Sequence, residues 1–211
     1  MLFMILNFED TKRLIESYNI KFCKTEFAKD KKGIIHAAKK IGFPVVLKIV
    51  SQKIVHKTDF GGVKLNLKNE NELIEAYNEI LKSISKRLID GFLVQKMLEG
   101  VELIIGAKQD EQFGPIVLFG AGGIFVELIK DFSIRIAPIN KNEAMKMIKE
   151  IKSYPILRGA RKGIYVDIEK LAKIISSVSK LICENEIREL DLNPIIANGE
   201  NIVVVDARVI V

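Results

Sequence analysis

Three apolar runs, GFLVQKML from Gly91, VELIIGAKQ from Val101 and PIVLFGAGG from Pro115, follow one another with short connections. Each has the length and residue types of a strand, and their succession breaks any regular βαβ alternation. Around them the pattern is mixed. FEDTKRLIESYNI has helical spacing, KFCKTEFAKD reads as a short strand and exit, and KKGIIHAAKKIGF is a helix stopped by Gly42 and Pro44. PVVLKIV is a buried-strand run, and NELIEAYNEILKSISKRL places Leu73, Ile74, Tyr77, Ile80, Leu81 and Ile84 on one helical face. Helices follow at roughly 142–152 and 168–183, the second entered through Asp167 as N-cap. Two final strands end the chain. The expected class is α+β (α/β in the broad sense), in two lobes: residues 1–97 and residues 98–211.

A chain of 211 residues is long enough for a sizeable core. No apolar run approaches a membrane span, and MLFMILNF lacks the basic start of a signal peptide before Glu9 and Asp10. A cytoplasmic protein with no membrane partner is expected. Cys23 and Cys183 have neither disulfide nor metal-ligand spacing, so reduced thiols are expected. The net charge of +6 suits an anionic partner. Basic residues are interspersed with acidic ones, and no tryptophan or basic-aromatic interleaving offers a base-stacking platform. A nucleotide suits this charge as well as a polynucleotide does, and no nucleic-acid partner is expected. Neither a Walker loop nor a dinucleotide fingerprint is present: GAGGIF has Phe125 where the last glycine should stand.

The C-terminal stretch RELDLNPIIANGENIVVVDARVIV carries the most specific geometry. Period-2 alternation puts Glu189, Asp191 and Asn193 on one face and Leu190 and Leu192 on the other. A turn at Asn198-Gly199 closes a hairpin. A two-residue or a four-residue loop sets Asn193 directly opposite Asp206, with Cβ atoms about 4.5–5.5 Å apart, and Asp191 opposite Arg208. Two oxygen ligands side by side suit Mg²⁺, which takes one or two protein ligands and completes its shell with water and phosphate. A solvated hairpin face is the other reading of the same residues. A soft metal is excluded, with no His or Cys nearby.

Lys48 interrupts the apolar run VVLKIV; a phosphate in a cleft or a sheet edge would each accommodate its ammonium. Glu102 stands where a ribose hydroxyl or plain solvent could meet it. GAGGIFVEL brings glycines close to Glu127, where backbone N–H groups can approach an anion or simply make a tight turn. LRGARKG sets Arg158, Arg161 and Lys162 beside two glycines as an anion clamp. One of the chain's two histidines, His56, sits in KIVSQKIVHKTDFGGVKLNL, after a strand and before Gly61 and Gly62. The other, His36, lies in a helical pattern and is read as structural. Together these stretches describe a nucleotide–magnesium cleft.

FPVVLKIVSQKIVHKTDFGGVKLNL, GPIVLFGAGGIFVEL, LRGARKG and the final strand pair also stand in the order of a known family. They resemble the β subunit, an ATP-grasp domain, of ADP-forming acetyl-CoA (acyl-CoA) synthetase, related to succinyl-CoA synthetase. The resemblance implies two α+β lobes gripping ATP or ADP with Mg²⁺, and the reaction acyl-CoA + ADP + phosphate ⇌ carboxylate + CoA + ATP. It implies a CoA-binding α subunit, an α2β2 assembly, and phosphate carried as phosphohistidine on His56. By the same resemblance Lys48 meets nucleotide phosphates, Glu102 the ribose, and Asn193 and Asp206 the metal, with Asp191 one pair further along the ladder and within reach of it. Gly122, Gly123 and Arg161 complete the expected nucleotide set. The chain departs from the family at Arg161-Lys162-Gly163, where Arg-Gly is usual, and it has no CoA-binding Rossmann segment. A non-catalytic nucleotide-sensing module beside a CoA-binding or acetyltransferase partner is the alternative.

Overall fold

The computed structural model describes residues 4–51, 53–54, 60–123, 130–160 and 164–211. Among them the chain forms two compact units, Cys23–Leu98 and Glu99–Val211 together with residues up to Phe22. Among the described residues no helix is long and apolar enough to cross a membrane.

The unit Cys23–Leu98 is a four-stranded antiparallel sheet in the order β1 (Thr25–Ala28), β4 (Gly91–Lys96), β2 (Val45–Val50), β3 (Val63–Leu67). Helices α2 (Lys31–Ile41) and α3 (Glu70–Ser83) supply Ile34, Ala38, Leu73 and Ile80 to one core with Leu47, Ile49 and Val94. Each helix begins at a side chain that accepts an orphan N–H: Asp30 from Gly33 at 2.8 Å and Asn69 from Glu72 at 3.0 Å. Glu72 returns the contact by accepting the Lys68 N–H at 2.8 Å. Helix α2 ends at Gly42, whose φ of +86° a side-chain-bearing residue adopts only with strain. His36 lies in α2 on its exposed side, so it is not a packed residue.

The other unit is built on a six-stranded antiparallel sheet: β10 (Ala207–Ile210), β8 (Glu189–Asn198), β5 (Val101–Asp110), β6 (Gly114–Ala121), β7 (Phe132–Ile136), with β9 (Asn201–Val204) also on β8. Short connections such as β5–β6 and β8–β9 permit only antiparallel neighbours. Helix α6 (Ile168–Glu184) covers one face with eight buried residues, Leu171, Ile175 and Val178 among them. Its N-cap is Asp167, accepting the Lys170 N–H at 3.0 Å. Helix α4 (Lys141–Glu150) packs beside it and meets the inward residues of β7: Arg135 pairs with Glu143 at 2.8 Å and with Glu150, and Ser133 donates to Glu150 at 2.8 Å. A short helix α5 (Tyr154–Leu157) follows.

The division differs from the expected 1–97 and 98–211 at the chain's start. Helix α1 (Phe8–Ser17) and its flanks belong with the second unit. Met4 and Val211 exchange N–H···O=C bonds at 3.0 Å, Leu6 donates to Val209 at 3.0 Å, and Val204 donates to Lys21 at 2.9 Å. The opening apolar residues thus extend the edge of the terminal strands, a pairing between chain ends that local pattern does not reveal. The final stretch also differs: β8 faces two short strands, β9 and β10, not one. The interruption falls opposite Pro194, which has no N–H to give the ladder. The Cys23 thiol is buried and donates to the Lys96 carbonyl at 3.4 Å, and Cys183 is exposed.

Candidate functional site

The ladder around the interruption has the predicted register. Ile195 pairs with Val204 on one side of the break, and Asp191 with Arg208 on the other. Between them the Asn193 N–H donates to the Asp206 carbonyl at 3.1 Å and the Val205 N–H to Pro194 at 3.0 Å. The hairpin loop is the two-residue one, since Asn198 pairs with Asn201, and Gly199 takes a φ of +56°. On its other side β8 bulges against β5: Leu103 pairs with Ile195 and Ile105 with Leu192, so Asn193 and Pro194 together face Ile104. The bulge shifts the alternation by one residue. Leu190 and Leu192 before it, and Ile195 and Ala197 after it, therefore all enter the core, while Asn193 is exposed.

Asp206 precedes β10, and one of its oxygens accepts the N–H of the next residue, Ala207, at 3.0 Å. The Asp191 carboxyl titrates above its ordinary value. Burial is the main cause, opposed by the Arg208 charge and reinforced by Glu189 and Asp206. Arg208 compensates only in part because its guanidinium is paired with Glu189 at 2.6 Å. The donors are two carboxylates and a carboxamide, all hard oxygens, which fit Mg²⁺ and not a soft metal. Among the described residues no group of three His, Cys, Asp or Glu forms a metal site. The ladder offers two carboxylates at most, Asp191 and Asp206.

Glu102, Gly122 and Gly123 come together at the far end of the same sheet. Gly122 donates its N–H to the Glu102 carbonyl at 2.7 Å, and a Cβ on Gly122 would lie 3.0 Å from the Glu102 backbone. A Cβ on Gly123, whose φ is +64°, would lie 3.0 Å from Glu102 Oε2. The glycines therefore give the Glu102 carboxylate and backbone their clearance. At Gly122 the N–H is committed to Glu102 and not offered to an anion. Glu102 pairs with Ile196 and Gly106 with Asp191, so Glu102, Gly106 and Asp191 share the face that the helices leave open.

In the other unit Lys48 is 6 % exposed. Strand alternation turns it away from the helix-covered core that holds Val45, Leu47 and Ile49. His56, Arg161 and Lys162 lie outside the described residues, as does Glu127. Asp131 is a residue that no motif singled out. It is 4 % exposed and accepts the Lys152 N–H at 2.6 Å and the Ser153 N–H at 2.8 Å, at the entry to α5. A lone Asp between strand and loop carries no periodic signal, and only the fold shows its partners.

Comparison with known proteins identifies the family. The model of the ATP-grasp domain family matches residues 4–211. The chain is 45% identical over 207 residues to the β subunit of ADP-forming acetate–CoA ligase I from Pyrococcus furiosus, covering 95% of this chain and 89% of that one. It is 45% identical over 203 residues to ADP-forming acetate–CoA ligase I from Archaeoglobus fulgidus, covering 93% of this chain but 30% of that longer one. The dinucleotide-forming acetyl-CoA synthetase 1 of Ca. Korarchaeum cryptofilum, in complex with coenzyme A and Ca-AMPCP, matches with a TM-score of 0.92 and 46% identity over 98% of this chain and 93% of that one. The same enzyme with coenzyme A and Mg-AMPPCP, its phosphohistidine segment pointing towards the nucleotide binding site, matches with a TM-score of 0.84 and 45% identity over 98% and 92%. With a helix-backed antiparallel sheet, an oxygen-donor pair at its C-terminal ladder and these relatives, the chain belongs to the ATP-grasp family, with the β subunits of ADP-forming acetate–CoA ligases.

Proposed function

We propose that this chain is the nucleotide-handling β subunit of an ADP-forming acyl-CoA synthetase, working in the cytoplasm with a CoA-binding α subunit in an α2β2 assembly. The observation that carries the reading is the Asn193–Asp206 register on a sheet face that also presents Glu102 and Asp191. Asn193 and Asp206, with Asp191 beside them, are the residues to hold Mg²⁺, which when bound neutralises charge on the nucleotide phosphates. Glu102 accepts hydrogen bonds from ribose hydroxyls, Gly122 and Gly123 leave its carboxylate room, and Lys48 and Arg161 offset phosphate charge. The relatives are ligases, which favours catalysis over a sensing role.

In the assigned direction His56 carries phosphate from the partner's acyl phosphate. A terminal oxygen of ADP attacks phosphorus, the N–P bond breaks, and its electron pair returns to the imidazole nitrogen, leaving ATP and neutral histidine. Imidazole suits this because it is nucleophilic near neutral pH and leaves readily. The test is co-expression with a CoA-binding α subunit and an assay for ATP formed from ADP, phosphate and a panel of acyl-CoAs. ATP formation that requires both chains supports the reading. Nucleotide binding with no phosphoryl transfer beside that partner would overturn it.

A further inference from the structure

Asp131 joins the corner of the sheet unit that this reading assigns to the ribose to the turn that enters α5. Its backbone carbonyl accepts the Ala121 N–H at 3.3 Å, at the end of β6 and next to Gly122. Its side chain takes both N–H groups that open the turn into α5, Lys152 at 2.6 Å and Ser153 at 2.8 Å. That turn runs directly to Arg158: the Arg158 N–H closes back on Tyr154 at 3.3 Å and on Pro155 at 3.2 Å. The exit is pinned as well, because Val166 donates to Leu157 at 2.9 Å and Gly199 to Tyr165 at 2.6 Å. A Cβ on Gly120 would lie 2.7 Å from the Asp131 carbonyl oxygen, so the close approach of β6 to Asp131 depends on a glycine. The end of β6 and the turn into α5 thus both bond to this one carboxylate-bearing residue.

Burial raises the pKa of this carboxyl, but the Ser153 hydroxyl beside it and the two N–H donors outweigh that, and the net shift is downward. The group is an ionised acceptor at neutral pH. A buried carboxylate that accepts two backbone N–H groups holds them more rigidly than a neutral acceptor would.

We propose that Asp131 is a positioning residue for the nucleotide site, fixing the Glu102–Gly122–Gly123 corner relative to the turn that enters α5. The proposal rests on the nucleotide-site reading above. Asparagine at this position keeps the shape but presents an NH₂ to one of the two N–H donors. The loosened spacing removes ground-state and transition-state contacts alike, so the effect falls on KM for nucleotide more than on kcat.

The test uses the complex with its CoA-binding partner. In Asp131→Asn, KM for ADP should rise about tenfold, with kcat within about threefold and KM for the acyl-CoA unchanged. A KM for ADP equal to wild type, with a lowered melting temperature, would overturn the proposal and leave Asp131 as a cap of α5. If the variant does not fold, hydrogen exchange on the wild-type complex decides. Saturating Mg-ADP should slow exchange of the Lys152 and Ser153 amides about tenfold, and unchanged exchange would overturn the proposal. Failure of the wild-type complex to bind Mg-ADP at all would instead overturn the nucleotide-site reading beneath it.

Discussion

The backbone N–H of Asn193 donates to the carbonyl of Asp206 at 3.1 Å, so these two residues face each other across the β8 ladder with Asp191 and Arg208 paired just beyond. Asn193 lies in β8 and Asp206 in the two-residue break between β9 and β10, where the backbone bond to Asn193 holds it, so the ladder sets their spacing. Asp206→Asn should lower ATP formation about a hundredfold, with part of the loss recovered at raised Mg²⁺. Titration of initial rate against Mg²⁺ checks this. An unchanged Mg²⁺ dependence would remove Asp206 from the metal site.

Asp191 gives a pH-linked expectation. Its folded pKa is raised, so its favourable contribution to stability is fully present below the unfolded pKa and is lost as pH rises through the folded pKa. In the metal-free fold the ionised carboxylate is the disfavoured form. Asp191→Asn should therefore melt above wild type at pH 7 without Mg²⁺, and show a smaller rise when Mg-ADP is added. Thermal melts at pH 7 with and without Mg-ADP measure both effects, and a variant that melts below wild type would contradict the assignment.

Lys48 is buried on the face of its sheet away from the helices. Lys48→Met should keep the secondary structure, judged by circular dichroism, and reduce phosphoryl transfer by about 10²–10³-fold, as loss of one transition-state charge contact does. Full activity in a folded Lys48→Met protein would make the lysine structural.

Glu102 stands over Gly123, its Oε2 within 3.0 Å of where a Cβ would be. Glu102→Ala should raise KM for ADP about tenfold or more, the cost of a hydrogen bond to a charged group, with little change in kcat. Gly123→Ala should do the same by displacing the carboxylate, helped by the strain of its φ of +64°. Steady-state kinetics of the two variants test the pairing, and opposite effects would break it.

The C-terminal ladder was readable because three local signals agree there: alternation from Glu189 to Asn193, the Asn198-Gly199 turn and the apolar run into Asp206. The bulge at Asn193-Pro194 and the split of the last strand were not, since both arise where a proline withholds an N–H from a neighbouring strand. Helix starts were legible at Asp167 because an N-cap needs only its own next turn. The membership of residues 4–22 was hidden for the opposite reason: Met4 pairs with Val211, at the other end of the chain. Asp131 shows the same limit within the site. Its role depends on the Lys152 and Ser153 amides, which no sequence spacing links to it.

The central claim is phosphate transfer through His56, and covalent labelling tests it most directly. The complex with its CoA-binding partner is incubated with Mg²⁺ and ATP labelled at the γ-phosphate, and the two chains are separated before counting. Acid-labile, base-stable label on this chain, released to ADP as ATP and abolished in His56→Ala, is the expected result. Equal labelling of this chain after His56→Ala would contradict the account.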